Sequence, residues 1–144
     1  MVVTVLNRSR QKLDRRRLAR VARAVMRAEG CHPETELTVM IGDDAWIQDL
    51  NRAYTRKNHA TDVLAFPQDA VPAGEAPALG DVAISAEMAE RQAAAVQHSL
   101  AREVEILLAH GILHLTGWTD ETPARRERMM ARTEELLAEA TTTR

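Results

Sequence analysis

At 144 residues, 45% hydrophobic and 28% charged, the chain is long enough to bury a core of its own and reads as one soluble globular domain over 1–144. Its net charge of −2 argues against a dedicated nucleic-acid binder of the usual basic kind. A single cysteine, Cys31, excludes an intramolecular disulfide and a cysteine-built zinc site.

Val2 to Leu6 is a short β-branched run and reads as a first strand. It is too short for a signal peptide, and no later stretch is long and apolar enough for a membrane, so a cytoplasmic protein without membrane contact is expected. Leu13 to Glu29 reads as a helix that Gly30 stops, with Leu18, Val21, Ala22 and Val25 on its apolar side. Arg16, Arg20, Arg23 and Arg27 line the opposite side. Such a stripe is more often a solvated face than a contact to a phosphate backbone.

Leu37 to Ile41 is a second strand. Gly42-Asp43-Asp44 ends it and supplies an aspartate to cap a helix from Ala45 to Tyr54, with Trp46, Ile47 and Leu50 facing the core. A polar loop with Arg52, Arg56, Lys57 and His59 leads into a strand, Asp62 to Phe66, closed by Pro67. Gln68 to Ala78 is the longest loop. Leu79 to Ile84 is a further strand, and Ser85 caps a helix over Ala86 to Val96.

The stretch from Glu103 to Asp120, EVEILLAHGILHLTGWTD, carries the chemistry. Val104, Ile106, Leu107, Leu108, Ile112, Leu113 and Leu115 leave it almost no polar face, which marks a buried helix. Ser99 caps it, Glu103 and Glu105 favour its positive end, and Gly117 stops it. His110 and His114 lie one turn apart on one side, and Asp120 follows just past the stop. One core histidine usually has only a hydrogen-bond partner. Two imidazoles in a helix otherwise stripped of polar groups, with a carboxylate beside them, favour a shared cation. Gly111 stands where a zinc peptidase of the His-Glu-x-x-His type keeps its general base, so peptide hydrolysis is disfavoured. A glycine inside a helix costs about 1 kcal/mol relative to alanine, which suggests that something approaches the backbone closely there. After the site, Thr122-Pro123 starts a last helix whose inner face is Met129, Met130, Thr133, Leu136 and Leu137, with the final TTTR expected to fray. About four short strands and five helices in irregular alternation give an α+β domain: a small mixed four-stranded sheet packed with helices, one of them the buried metal-site helix.

These residues resemble a known family. HGILHLTGW, His110 to Trp118, is similar to the His-Gly-x-Leu-His-Leu-x-Gly-Tyr-Asp-His signature of the bacterial YbeY family of rRNA maturation factors. Asn51 and Tyr54, the Thr61 to Pro67 stretch, Leu79-Gly80-Asp81 through Ile84-Ser85, and His98-Ser99 with Glu103 match its pattern in the same order. The resemblance implies a single-strand-specific, metal-dependent endoribonuclease acting in maturation of the 3′ end of small-subunit rRNA and in ribosome quality control. Its partners would be single-stranded RNA and the small ribosomal subunit. By position it implies metal ligands at His110, His114 and Asp120, where the family has a third histidine, and Glu121 is the rival for that place. One Zn2+ is expected, with Mn, Co or Ni favoured more than usual by the carboxylate. His114 and Arg56 are the implied catalytic residues. The family's arginine directly follows its tyrosine, however, and here Thr55 stands in that position. A ribosome-associated assembly factor with a mainly structural metal is the alternative.

Overall fold

A computed structural model gives the fold and describes residues 1–55, 61–68 and 74–142. Its elements are β1 (Val2–Asn7), α1 (Arg15–Ala28), β2 (Glu36–Gly42), α2 (Asp44–Thr55), β3 (Val63–Pro67), β4 (Ala78–Ser85), α3 (Ala86–Val96), α4 (Leu100–Leu115) and α5 (Pro123–Thr142). Most boundaries are set by capping. Asp14 accepts from Arg17 N at 3.0 Å, so α1 begins two residues later than its apolar pattern suggested. Asp43 caps α2 through Trp46 N, Ser85 caps α3 through Met88 N, and Thr122 caps α5 through Arg125 N.

The sheet order is β1-β2-β4-β3. β1, β2 and β4 run parallel, and β3 lies antiparallel on the edge beside β4. This is the expected mixed four-stranded sheet with five helices, an α+β fold. Leu37, Val39 and Ile41 of β2 are buried on one face, as a two-residue period requires. In β4 the consecutive Val82, Ala83 and Ile84 are all buried, so this strand is covered on both faces.

α4 packs against α1, α3, α5, β3 and β4. Val104, Leu107, Leu108, Ala109, Ile112 and Leu113 are fully or almost fully buried, and each larger side chain contributes on the order of 2 kcal/mol of burial. The expectation of a buried helix is met. Gly111 is where α4 meets the sheet: a Cβ there would lie 2.6 Å from Val82 Cγ1. No helix among the described residues is long and apolar enough to cross a membrane.

Some details differ from the sequence reading. Met130 is 40% exposed, because the buried stripe of α5 follows Met129, Thr133, Leu136 and Leu137 and leaves Met130 at its margin. Arg52 belongs to α2, 3.0 Å from Asp49, rather than to a loop. Helix α5 continues through Thr142, into the expected fraying tail. Arg16, Arg20 and Arg27 are exposed, in keeping with a solvated stripe.

Candidate functional site

The site starts at the capped end of α4. Ser99 Oγ accepts from Arg102 N at 3.1 Å. The two glutamates of the first turns do more than favour the helix dipole: both are buried, at 7% and 5% exposure. A buried carboxylate needs a partner. Glu103 finds His98 Nε2 at 2.5 Å, folded back from the break before the helix, and Glu105 finds Arg17 Nε at 2.5 Å from α1. The sequence supplied the cap but gave no sign of these pairs.

One turn separates His110 from His114 on the apolar helix. His110 Nε2 is buried and has no hydrogen-bond partner among the described residues. Burial, the dominant cause, holds His110 below the ordinary imidazole range. Asp62 opposes that shift, His114 adds to it, and Glu103 and Asp120 oppose it. The ring is thus neutral at neutral pH and keeps a nitrogen lone pair. It lines a cavity of about 400 Å³ with Asp62, His98, Arg102 and Glu103 on the polar side and Ile106, Leu107 and Leu137 on the apolar side.

The turn after α4 is built locally. Gly117 N donates to His114 O at 3.2 Å and Trp118 N to Leu113 O at 2.9 Å, the double bond of a Schellman stop, with Gly117 at φ +108°. Glu29, from the end of α1, anchors that turn. It accepts from Trp118 Nε1 at 2.6 Å and Thr116 Oγ1 at 3.3 Å, and its other oxygen takes Arg132 Nη2 of α5 at 2.9 Å. The chain then returns, so that Asp120 Oδ2 lies 3.9 Å from His114 Nε2. Glu121 turns away: it is 79% exposed and faces Arg125 Nη1 at 3.8 Å.

Two imidazoles and a carboxylate suit a divalent cation in kind, and among the described residues the buried His110 nitrogen lacks a partner. Among the described residues, no three His, Cys, Asp or Glu side chains already stand in position to hold a metal ion. His114 and Asp120 are neighbours at a separation longer than a hydrogen bond. Arg56, the expected phosphate contact, lies outside the described residues, as do Lys57 and His59.

The chain is similar to known proteins over nearly its whole length. The family model of the endoribonuclease YbeY matches residues 4–141. A curated relative from Thermobifida fusca, named Endoribonuclease YbeY, is 38% identical over 96% of this chain and 93% of its own length. One of the same name from Pelotomaculum thermopropionicum is 44% identical over 88% of this chain and 86% of its own. The solution structure of a Thermotoga maritima protein, 20% identical, superposes with a TM-score of 0.60 over 96% of this chain and 91% of that one, which supports the fold.

Proposed function

The chain belongs to the YbeY endoribonuclease family, and on that premise we propose that it is a metal-dependent endoribonuclease that cuts single-stranded RNA. Its substrate in this reading is the 3′ end of small-subunit rRNA, met on the small ribosomal subunit during maturation and quality control. The observation that carries the metal part is the buried Nε2 of His110, without a partner among the described residues and one helical turn from a second imidazole that Asp120 approaches.

In this reading His110, His114 and Asp120 hold one divalent cation, zinc first among the choices. Bound there, the cation supplies positive charge to a phosphodiester and to the group that attacks it. Each residue has a reason to serve. His110 is kept neutral by burial, so its lone pair stays free for a ligand bond. His114 is positioned on the same rigid helix, and its side chain is 31% exposed, where a long polymer can reach. Asp120 is held close by the turn that Glu29 anchors. Arg56 is proposed from its sequence position as a fixed positive charge for the phosphate. The cavity beside His110, with His98, Arg102 and Glu103, offers room for a nucleotide next to the cut.

The α4 helix is held by apolar packing against α1, α3, α5, β3 and β4. That favours a metal used for chemistry over one that maintains the fold. The deciding experiment compares the wild type with His114→Ala on single-stranded RNA, with metal content measured by plasma mass spectrometry. Loss of both cleavage and bound metal, with circular dichroism unchanged, is the expected result. Undiminished cleavage by His114→Ala would overturn the site.

A further inference from the structure

The chain has one tyrosine and one phenylalanine, and they touch each other outside the core. The core itself is aliphatic, built from leucine, isoleucine, valine, alanine and methionine. Tyr54 is 68% exposed on the last turn of α2, and Phe66 is half-buried on the edge strand β3. Their ring centroids are 4.8 Å apart and tilted by 51°. A ring left in water forgoes the burial that normally makes aromatics the strongest core residues. Held in place by a neighbouring ring, it offers instead a flat apolar face with little conformational freedom left to lose on binding.

Phe66 is carried by the strand that borders the site, with its ring on the far face: Ala65 pairs with Val82, which meets Gly111 of α4, whereas Phe66 pairs with Asp81. The Phe66 carbonyl abuts Gly80, where an added Cβ would lie 2.2 Å from that oxygen and 3.2 Å from Leu115 Cδ2. Leu115 is the residue after His114 and ends α4. Strand β3 packs on α4, and Asp62, just before it, lines the cavity beside His110. One short edge strand therefore links the cavity to Phe66, and the aromatic pair is reached from the site around the free edge of the sheet.

We propose that Tyr54 and Phe66 form a stacking platform for one nucleobase of a single-stranded RNA whose backbone enters the His110–His114 site. The inference rests on the RNA-cleaving reading above and adds how single strands are selected. An unpaired base can splay out and stack on an aromatic face, whatever its identity, whereas a duplex keeps its bases stacked inside. The platform thus selects the single-stranded state and is indifferent to sequence.

The test uses the full-length protein and a single-stranded RNA oligonucleotide, with affinity read by fluorescence anisotropy and RNA integrity checked on a gel. Tyr54→Ala should weaken binding by about tenfold or more. Tyr54→Phe should stay within about twofold of the wild type, since the π face is kept, while Tyr54→Leu should fall with the alanine variant. Affinity for a duplex of the same sequence should be equal in all four proteins. Independently of any variant's folding, 5-iodouracil in the RNA should photocrosslink to Tyr54 or Phe66 of the wild type, as mapped by mass spectrometry. The proposal is overturned if Tyr54→Ala or Tyr54→Leu binds single strands like the wild type, or if no crosslink forms at either ring. It is overturned equally if the pair proves to hold two copies of this chain together, with Tyr54→Ala dissociating a dimer while RNA affinity stays intact. A protein that cleaves RNA but passes none of these tests loses the platform and keeps the nuclease. One that passes them without cleaving keeps the platform and loses the nuclease.

Discussion

Of the two acidic residues that follow α4, only one faces the histidines. Asp120 Oδ2 sits 3.9 Å from His114 Nε2, whereas Glu121 extends toward Arg125 on the exposed side. A ligand role for Asp120 therefore predicts a sharp difference between neighbours. Asp120→Ala should lose metal affinity by about tenfold or more, while Glu121→Ala keeps it close to wild type. Titration of the two variants with zinc under competition by a chelating dye measures this. The opposite ranking would transfer the third place to Glu121. Glu29 acts on the same turn from a distance. With its side chain only 9% exposed, it joins Trp118 and Thr116, at the end of α4, to Arg132 of α5. That guanidinium has its pKa raised, chiefly by the hydrogen bonds it donates to Glu29. Glu29→Gln keeps the shape and removes the charge. A loss of about 1–2 kcal/mol is expected in denaturant unfolding, discounted for the part of the Arg132 side chain that solvent reaches. Unchanged stability would mean that the cluster does not anchor the turn.

The position of α4 on the sheet is set at Gly111. Alanine there would gain about 1 kcal/mol of helix propensity at an open position. A Cβ at 2.6 and 2.9 Å from the two methyls of Val82 instead overpacks a stiff, buried side chain, at about 1–3 kcal/mol. Gly111→Ala should therefore destabilise by on the order of 1 kcal/mol, and adding Val82→Ala should recover part of the loss. The double variant would then be less destabilised than the sum of the singles. Stabilisation by Gly111→Ala alone would show that the contact relaxes freely. Helices α2 and α3 are tied differently, by Asp44. Its carboxylate accepts from Ser85 Oγ at 2.6 Å and Arg91 Nη2 at 2.7 Å. Burial by itself would raise its pKa, but the Ser85 hydroxyl and the Arg91 guanidinium outweigh it, and the value falls below the ordinary 3.8. A carboxyl with a depressed folded-state pKa adds stability above its unfolded value and loses it as the pH falls through the folded one. Asp44→Asn should accordingly cost about 1 kcal/mol at pH 7 and show a flatter decline below about pH 4, converging on the wild type in acid. Parallel curves over that range would exclude this linkage.

For the molecule as a whole, the question is whether the fold needs a metal. An apolar core cluster runs from α1 through β2, β4 and α3 to α4 and α5. Chelation should abolish RNA cleavage, leave circular dichroism unchanged and shift the unfolding midpoint by no more than the bound ion's own mass-action contribution, a few degrees. Cooperative unfolding on chelation would favour the assembly-factor alternative, with a metal that is part of the structure.

Features that depend on near neighbours are legible in the chain alone. α3 has its expected bounds because Ser85 caps one end, and α4 stops where Gly117 permits the left-handed turn. The apolar run around His110 and His114 gave a buried helix with both rings on one side, since helical geometry relates residues four apart without reference to the rest of the chain. Features that depend on distant partners emerge only once the helices and sheet are packed together. Arg17 meets Glu105 across 88 residues, Trp118 meets Glu29 across 89, and Val82 fills the space that Gly111 leaves. That packing also turned Glu121 away from the histidines and set Tyr54 against Phe66 at the sheet edge. Such contacts leave no period in the sequence: a buried carboxylate must be paired, but which arginine reaches it follows only from how the helices pack.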